Sequence, residues 1–409
     1  YAYQDKPIGS VAVNVLLAAC VGLLAFLALR PRFSAPMFLT LAVVIGATMQ
    51  FGFAYTEGRG FEGIRGRALA GHGVFIADAL ATRDPVQTLK DYNSLADSGK
   101  LGTFPRSKPP GTLLFYMLTV GASELVVEHS YDPDQRKNRF VDFLAEVWPF
   151  VAALAIVPLY WLTTMLAGPA EARLAAALYL LVPSFNLVTL HTDQVLFPSL
   201  YLTVLCLFVV SPRATQPAAF AVDTRPYPAR LRSTAILATS MAAGVVVPSI
   251  LLWLFLNYDP FVRWQSALAF HAAWRRVPAV LGMRDGLSNI AEFVDWTGVP
   301  IVLLACAVFW MRRAGPVPHH AVASGGDRRA GWSHAALMAS LACLIGYLAF
   351  FSHTAAETAR LWLFLMPVIC VVAARTLAEL RATLPFAAPL VFALQAATIY
   401  VIKVTHDFW

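Results

Sequence analysis

Long apolar runs alternate with short polar segments along almost the whole chain, and their lengths predict its architecture. A helix that crosses a bilayer needs about 20 apolar residues. Runs of that order lie near 9–29, 36–54, 145–167, 172–190, 195–210, 234–256, 298–311, 334–351, 361–379 and 385–403. They predict an all-α, polytopic membrane protein of about 10 transmembrane helices, with residues 1–409 forming one integral membrane domain. Arginines cluster between alternate runs, at Arg30/Arg32, Arg173, Arg213/Arg225/Arg230/Arg232, Arg312/Arg313/Arg328/Arg329 and Arg375/Arg381. With all of these clusters on the cytoplasmic side the spans alternate without conflict, as the positive-inside rule requires. Tyr1 stands where an initiator Met would, so the helix count is expected to run from a start that is not the native one.

This orientation leaves four polar stretches and the C-terminus on the outer face, the stretches being residues 55–144, the corner His191–Gln194, residues 257–297, and the turn Ser352–Arg360. Two of them are far longer than a helix connection requires, which marks the outer face as the working one. Within 55–144, residues Glu62 to Ala81 show helical spacing of apolar and polar positions and predict an amphipathic helix lying on the bilayer. A loop and short helix follow over Arg83–Tyr92, and then a Lys-Pro-Pro-Gly turn. The apolar run Thr112–Val127, about 16 residues, is short for a span. Counting it as one would invert every later loop against the arginine pattern, so it predicts a re-entrant or interfacial helix. Segment 212–233, with four prolines and four arginines, reads as a cytoplasmic linker. No internal repeat is visible, which disfavours an inverted-repeat transporter.

Composition agrees with the pattern: 58% hydrophobic residues, 13% charged residues and a mean hydropathy of +0.62 belong to a membrane protein. The net charge of +7 raises the question of nucleic acid. The cations sit in short clusters between apolar runs rather than in one basic patch, so no nucleic-acid partner is expected. Cys20, Cys206, Cys306, Cys343 and Cys370 all fall in apolar segments without metal-ligand spacing, and read as packing residues. Alanine- and arginine-rich usage with few lysines points to a high-GC bacterium, and with the apolar runs to its plasma membrane.

The candidate chemistry begins with Thr103-Phe-Pro-Arg-Ser-Lys-Pro-Pro-Gly-Thr112, which sets Arg106 and Lys108 against the start of an apolar helix. Proline stiffens the turn, Gly111 permits close approach, and a lysine at a helix N-terminus suits a phosphate. The plainer alternative is a pair of snorkelling cations on lipid headgroups. Glu57, with Glu62 and Asp91 as alternatives, is the candidate general base. Asp193 and His191 place polar groups at the mouth of an apolar helix, where they would orient a substrate. Glu357 and Arg360, three residues apart, share a helix face; they would form an anion ligand held by its carboxylate, or a structural ion pair. Trp264, His271, Trp274, Arg275, Arg276, Arg284, Asn289, Glu292 and Trp296 would line a sugar site or an aromatic belt.

These features together resemble the GT-C superfamily of polyprenyl-phosphate-sugar-dependent membrane glycosyltransferases. The shared elements are an early acid, a long first outer loop with an amphipathic helix, a Lys-Pro-Pro turn, and the late Glu-x-x-Arg-Leu-Trp turn of Glu357–Trp362. The resemblance covers about residues 36–380 in topological order. It implies that Lys108 contacts the lipid phosphate, that Glu57 is the catalytic carboxylate, and that Thr192-Asp193-Gln194 corresponds to an acidic outer corner with one acid left. The chain departs from the family in keeping Glu57 and Glu62 apart where an Asp-Glu pair or a lone Asp is usual. The implied activity is inverting transfer of a sugar from a polyprenyl-phosphate donor to a lipid, glycan or protein acceptor on the outer face of the bacterial inner membrane. No cofactor is demanded by the pattern, and a divalent metal is left open. Two other readings stand beside it: a transporter or flippase of a lipid-linked or anionic solute, and a non-catalytic subunit of a membrane complex.

Overall fold

Every described element of the chain is an α-helix or a short 3-10 turn, and no strand occurs among the described residues. The computed structural model describes residues 10–56, 59–69, 73–82, 84–126, 132–187, 194–210, 246–247, 249–275, 282–311, 329–351 and 358–405. Five helices are long and apolar enough to cross a membrane: Val11–Leu29, Ala35–Thr56, Pro133–Leu166, Leu363–Thr383 and Ala387–Thr405. Met283–Thr297 and Val299–Phe309, bent by 105°, make a sixth if counted as one broken span. Such helices satisfy every backbone group internally, which hydrocarbon demands, and they mark the chain as membrane-embedded.

The expected count of about 10 spans is therefore met only in part. The runs at 195–210 and 334–351 contain the shorter apolar helices Leu196–Leu207 and Leu337–Phe351, and most of 234–256 lies outside the described residues, as does the linker 212–233. The run at 172–190 is corrected for a physical reason. Its helix Pro169–Leu180 stops after 12 residues and a second short helix starts at Pro183. At about 1.5 Å per residue the first piece is about 18 Å long, short of the bilayer core. Proline has no N–H for the i−4 carbonyl, and the last amides turn to i−3 partners, Leu181 to Leu178 and Val182 to Tyr179 at 3.0 Å each. Pro158 acts the same way on Pro133–Leu166, which breaks at Leu154 and Ala155.

The chain divides into two compact units, one of Tyr1–Ile64, Val147–Val222 and Ala279–Trp409, the other of Arg65–Glu146 and Asp223–Pro278. In the first unit every residue from Ala172 to Leu180 is buried, as is the stretch Met366–Ala374. Breaks inside this unit leave carbonyls without helical partners, and one amide serves two of them: Gln395 Nε2 donates to Leu181 O at 2.9 Å and to Thr297 O at 3.1 Å. Its cytoplasmic-type arginines are structural. Arg173, 7% exposed, donates to the carbonyls of Arg30 (2.8 Å) and Phe33. Arg375 bridges Glu171 at 3.2 Å and Glu379 at 2.7 Å.

The second unit is built from short helices, among them Gly73–Ala81, Pro85–Lys90, Tyr92–Asp97, Thr103–Arg106, Gly111–Val126 and Pro260–Arg275. The single amphipathic helix expected over Glu62–Ala81 appears as two, Gly60–Leu69 and Gly73–Ala81, and residues 70–72 lie outside the described residues. Gly111–Val126 has 16 residues, as the run length predicts, and is not among the spanning helices. Phe75 and Tyr116, both fully buried, stack with ring centroids 5.6 Å apart and join Gly73–Ala81 to Gly111–Val126.

Candidate functional site at the Lys-Pro-Pro-Gly corner

The corner is fixed by three backbone anchors before any ligand is considered. At its start the Asp78 carboxylate accepts from the Gly102 N–H at 2.8 Å. A Cβ on Gly102 would come within 1.9 Å of a Val74 methyl, so only glycine lets the chain pass this close to Gly73–Ala81. One tight helical turn, Thr103–Arg106, follows, and the amides of Ser107 and Lys108 close onto Phe104 O and Pro105 O at 3.1 and 3.2 Å. The buried Tyr92 hydroxyl then donates to both Pro105 O (2.7 Å) and Lys108 O (3.1 Å). Gly111–Val126 begins two prolines later, with Leu114 N–H on Pro110 O at 2.9 Å. A Cβ at Gly111 would meet nothing within 4 Å, so no protein neighbour demands glycine there.

Both cations of the corner lie over aromatic rings. Lys108 Nζ is 5.8 Å from the Phe75 centroid and the Arg106 guanidinium carbon is 5.4 Å from that of Phe270. Such contacts contribute roughly 0.5–1 kcal/mol each at exposed sites, and both cations are half-buried. Phe270 comes from Pro260–Arg275, and Tyr258 just before that helix and Arg263 within it add two further contacts in this unit. Tyr258 meets Tyr92 edge-on at 6.1 Å, and Arg263, 4% exposed, lies 3.5 Å from Asp97. Segments 55–144 and 257–297 thus meet around the corner.

Burial sets the ionisation here. It pushes the Asp78 carboxyl above its ordinary value, against the lowering effect of the Gly102 amide. Burial, reinforced by Tyr258 and Asp78 and opposed by Arg263, pushes the Tyr92 hydroxyl far up, and burial pushes Tyr258 up to about 12. Both phenols remain protonated at neutral pH, so Tyr92 stays a donor. Two rigidly seated cations beside an apolar helix start can receive an anionic group at the edge of an apolar phase.

Of the residues singled out in the sequence, the structure brings Arg106 and Lys108 together. Glu57, His191, Asp193 and Glu357 lie outside the described residues, as do the side chains of Trp274 and Arg275. Asp91 is exposed and accepts from Gln87 Nε2 at 2.7 Å. Glu62 is exposed in the first turn of Gly60–Leu69, and Arg360 is half-buried in the turn Thr358–Leu361; both belong to the other unit. Asn289, Glu292 and Trp296, read from the sequence as lining a sugar site or an aromatic belt, make packing contacts within their unit. Asn289 Nδ2 donates to Ala349 O at 3.1 Å, Trp296 is 3% exposed, and Glu292 accepts from the Ala359 amide at 3.4 Å. Asp78 and Tyr92 were not anticipated. The signal for Asp78 is a lone carboxylate in the apolar helix Gly-Val-Phe-Ile-Ala-Asp-Ala-Leu-Ala. Among the described residues no group of three or more His, Cys, Asp or Glu is placed to hold a metal ion.

Fold and corner together define a helical membrane protein with a corner at which two cations lie over aromatic rings. Compared with protein-family models, with curated proteins and with solved structures, the chain gives no match.

Proposed function

We propose that the protein is an inverting membrane glycosyltransferase that uses a polyprenyl-phosphate-linked sugar as donor and works on the outer face of a bacterial inner membrane. The observation that carries this reading is the corner itself, where Tyr92 holds the carbonyls on either side of Ser107 while Lys108 and Arg106 rest on Phe75 and Phe270. In the reaction an acceptor hydroxyl attacks the anomeric carbon and the carbon–oxygen bond to phosphate breaks. Polyprenyl phosphate leaves with the bonding electrons, and the acceptor proton passes to a carboxylate, Glu57 by first choice, with Glu62 and Asp91 as alternatives. Lys108 and Arg106 stabilise the charge that grows on the departing phosphate, and Arg360 is carried from the sequence as a further candidate anion ligand. Asp193 with His191, and Glu357, Trp274 and Arg275, would orient the sugar and the lipid, glycan or protein acceptor.

The test is incubation of purified protein with a labelled polyprenyl-phosphate sugar and assay of free polyprenyl phosphate. Lys108→Ala is expected to slow transfer on the order of 10²-fold, the usual cost of one preorganised donor at a developing charge. Transfer at the wild-type rate in Lys108→Ala would sink the assignment. One observation favours a second reading, a transporter or flippase for an anionic or lipid-linked solute: Lys403 is 1% exposed within Ala387–Thr405, and a cation in a span marks a pathway by default. Movement of the donor without release of free polyprenyl phosphate would select that reading.

A further inference from the structure

Arg263 is a buried cation that its own unit leaves poorly paired. Its helix, Pro260–Arg275, has Phe261, Val262 and Trp264 exposed around it, yet Arg263 itself is 4% exposed. It does not snorkel to the surface as long cations at a membrane boundary usually do. The nearest carboxylate in sequence, Asp259, is committed to capping the helix, accepting from the Phe261 and Val262 amides at 2.9 and 3.1 Å. Among the described residues the ion partner of Arg263 is Asp97, whose Oδ1 lies 3.5 Å from Nη1 and whose side chain is 63% exposed. Nε is buried and has no hydrogen-bond partner among the described residues. A guanidinium taken out of water is costly unless its donors are met. One oxygen of a water-screened carboxylate meets few of them and holds its place weakly.

The surroundings add positive charge. Tyr92, which donates to Pro105 O and Lys108 O, meets Tyr258 edge-on at 6.1 Å, and the charge of Arg263 acts on both phenols. Arg106 Nη1 lies 3.8 Å from the place a Cβ on Gly99 would take, two residues past Asp97. Two guanidinium groups thus border the turn 97–99. Burial raises the Asp78 carboxyl, which weakens it as a counterion to this group.

We propose that Arg263 is a seat for a phosphate group, which the Asp97 carboxylate covers and an incoming phosphate displaces. A phosphate carries several acceptor oxygens, so it can accept from Nε and Nη together, as a single carboxylate oxygen does not. Asp97, being exposed, returns to water when displaced and leaves no buried charge behind. The seat stands on the geometry of these two residues and not on the assignment of Lys108 or on sugar transfer. A free phosphate, a polyprenyl phosphate and a lipid headgroup share the chemistry it recognises.

The experiment therefore reads affinity rather than turnover. Purified protein is titrated with inorganic phosphate, with polyprenyl phosphate in detergent and, in nanodiscs, with phosphatidic acid, and the melting temperature of each variant is recorded. Asp97→Asn, which removes the covering charge and keeps the side chain's size, is expected to tighten at least one of the three probes about fivefold. Arg263→Gln is expected to weaken that same probe on the order of tenfold. In the Arg263→Gln background Asp97→Asn then changes nothing, because its effect runs through the missing guanidinium. A merely structural ion pair gives the opposite result for Asp97→Asn, a lower melting temperature with unchanged or weaker binding of all three probes, and that would overturn the proposal. Asp84→Asn removes the same charge from the same unit and keeps its helix cap. Equal tightening there would reduce the effect to general electrostatics and also overturn the proposal. The probe that responds to Asp97→Asn tells free phosphate, polyprenyl carrier and headgroup apart. If Arg263→Gln fails to fold, Asp97→Asn compared with Asp84→Asn decides alone. Failure here leaves the transferase reading, tested at Lys108, standing.

Discussion

Tyr92 is the residue on which the corner turns. Its hydroxyl has one proton and two carbonyl acceptors, at 2.7 and 3.1 Å. Tyr92→Phe takes this donor from both carbonyls and leaves Pro105 O with the Lys108 amide alone, at a cost of about 1 kcal/mol. A lowered melting temperature together with slower donor turnover is expected; an unchanged melting curve would show that the corner stands without this bond. Asp78 supplies a pH signature. Its carboxyl is raised by burial, so the folded state holds the proton more tightly than the unfolded chain does. The resulting stability is fully present below the ordinary aspartate value of about 4 and is lost as pH rises through the folded value. Asp78→Asn keeps an acceptor for the Gly102 amide and removes the titration. The wild type should therefore gain stability relative to Asp78→Asn as pH is lowered from 7 towards 4, measured as the difference between their melting temperatures. A constant difference across that range would refute the assignment.

At the scale of elements, the breaks matter more than the spans. Gly298 sits at the 105° bend with φ of 97°, a left-handed value that favours glycine, and a Cβ there would fall 1.8 Å from the Gln395 amide. Gly298→Ala must therefore displace the side chain that satisfies Leu181 O and Thr297 O, and both carbonyls would lose their donor in a dry interior. The expected outcome is poor recovery of folded protein from detergent and a melting temperature well below that of Gly22→Ala, whose Cβ meets nothing within 4 Å. The comparison also shows what is legible in sequence. Apolar run length marks where helices lie, but it is blind to Pro183 and Pro158, whose missing amides cut the runs into shorter helices. Arg106 and Lys108 are legible because their chemistry is local to one motif. The residues that seat them are not, since Asp78 acts on a backbone amide 24 residues away and Tyr92 on a carbonyl 16 residues away, pairings that only tertiary packing creates.

For the whole molecule, the arginine pattern that orients the chain finds a physical counterpart in the first unit. Arg173 binds the Arg30 and Phe33 carbonyls, so the connection after Val11–Leu29 and the start of Pro169–Leu180 share one end of the helical bundle. Arg375 reaches Glu171, which brings the last turns of Met366–Thr383 to that same end. Three arginine clusters far apart in sequence thus converge at one end, as they must if a single membrane face collects them. Gln395, Ser184 and Glu292 make their bonds to other breaks and turns of the unit, away from these clusters in sequence. If the convergent arginines are cytoplasmic, the proposed function requires the segment with Lys108 to be reached from the other side of the membrane. Impermeant maleimide labelling decides this in a background whose five cysteines are replaced. Exposed Arg32 and exposed Lys100 are the reporters. Lys100→Cys should be labelled in intact spheroplasts, and Arg32→Cys only in inverted vesicles. Labelling of both from the same side would break the link between the arginine pattern and an outward-facing phosphate seat, and with it the use of an externally presented donor.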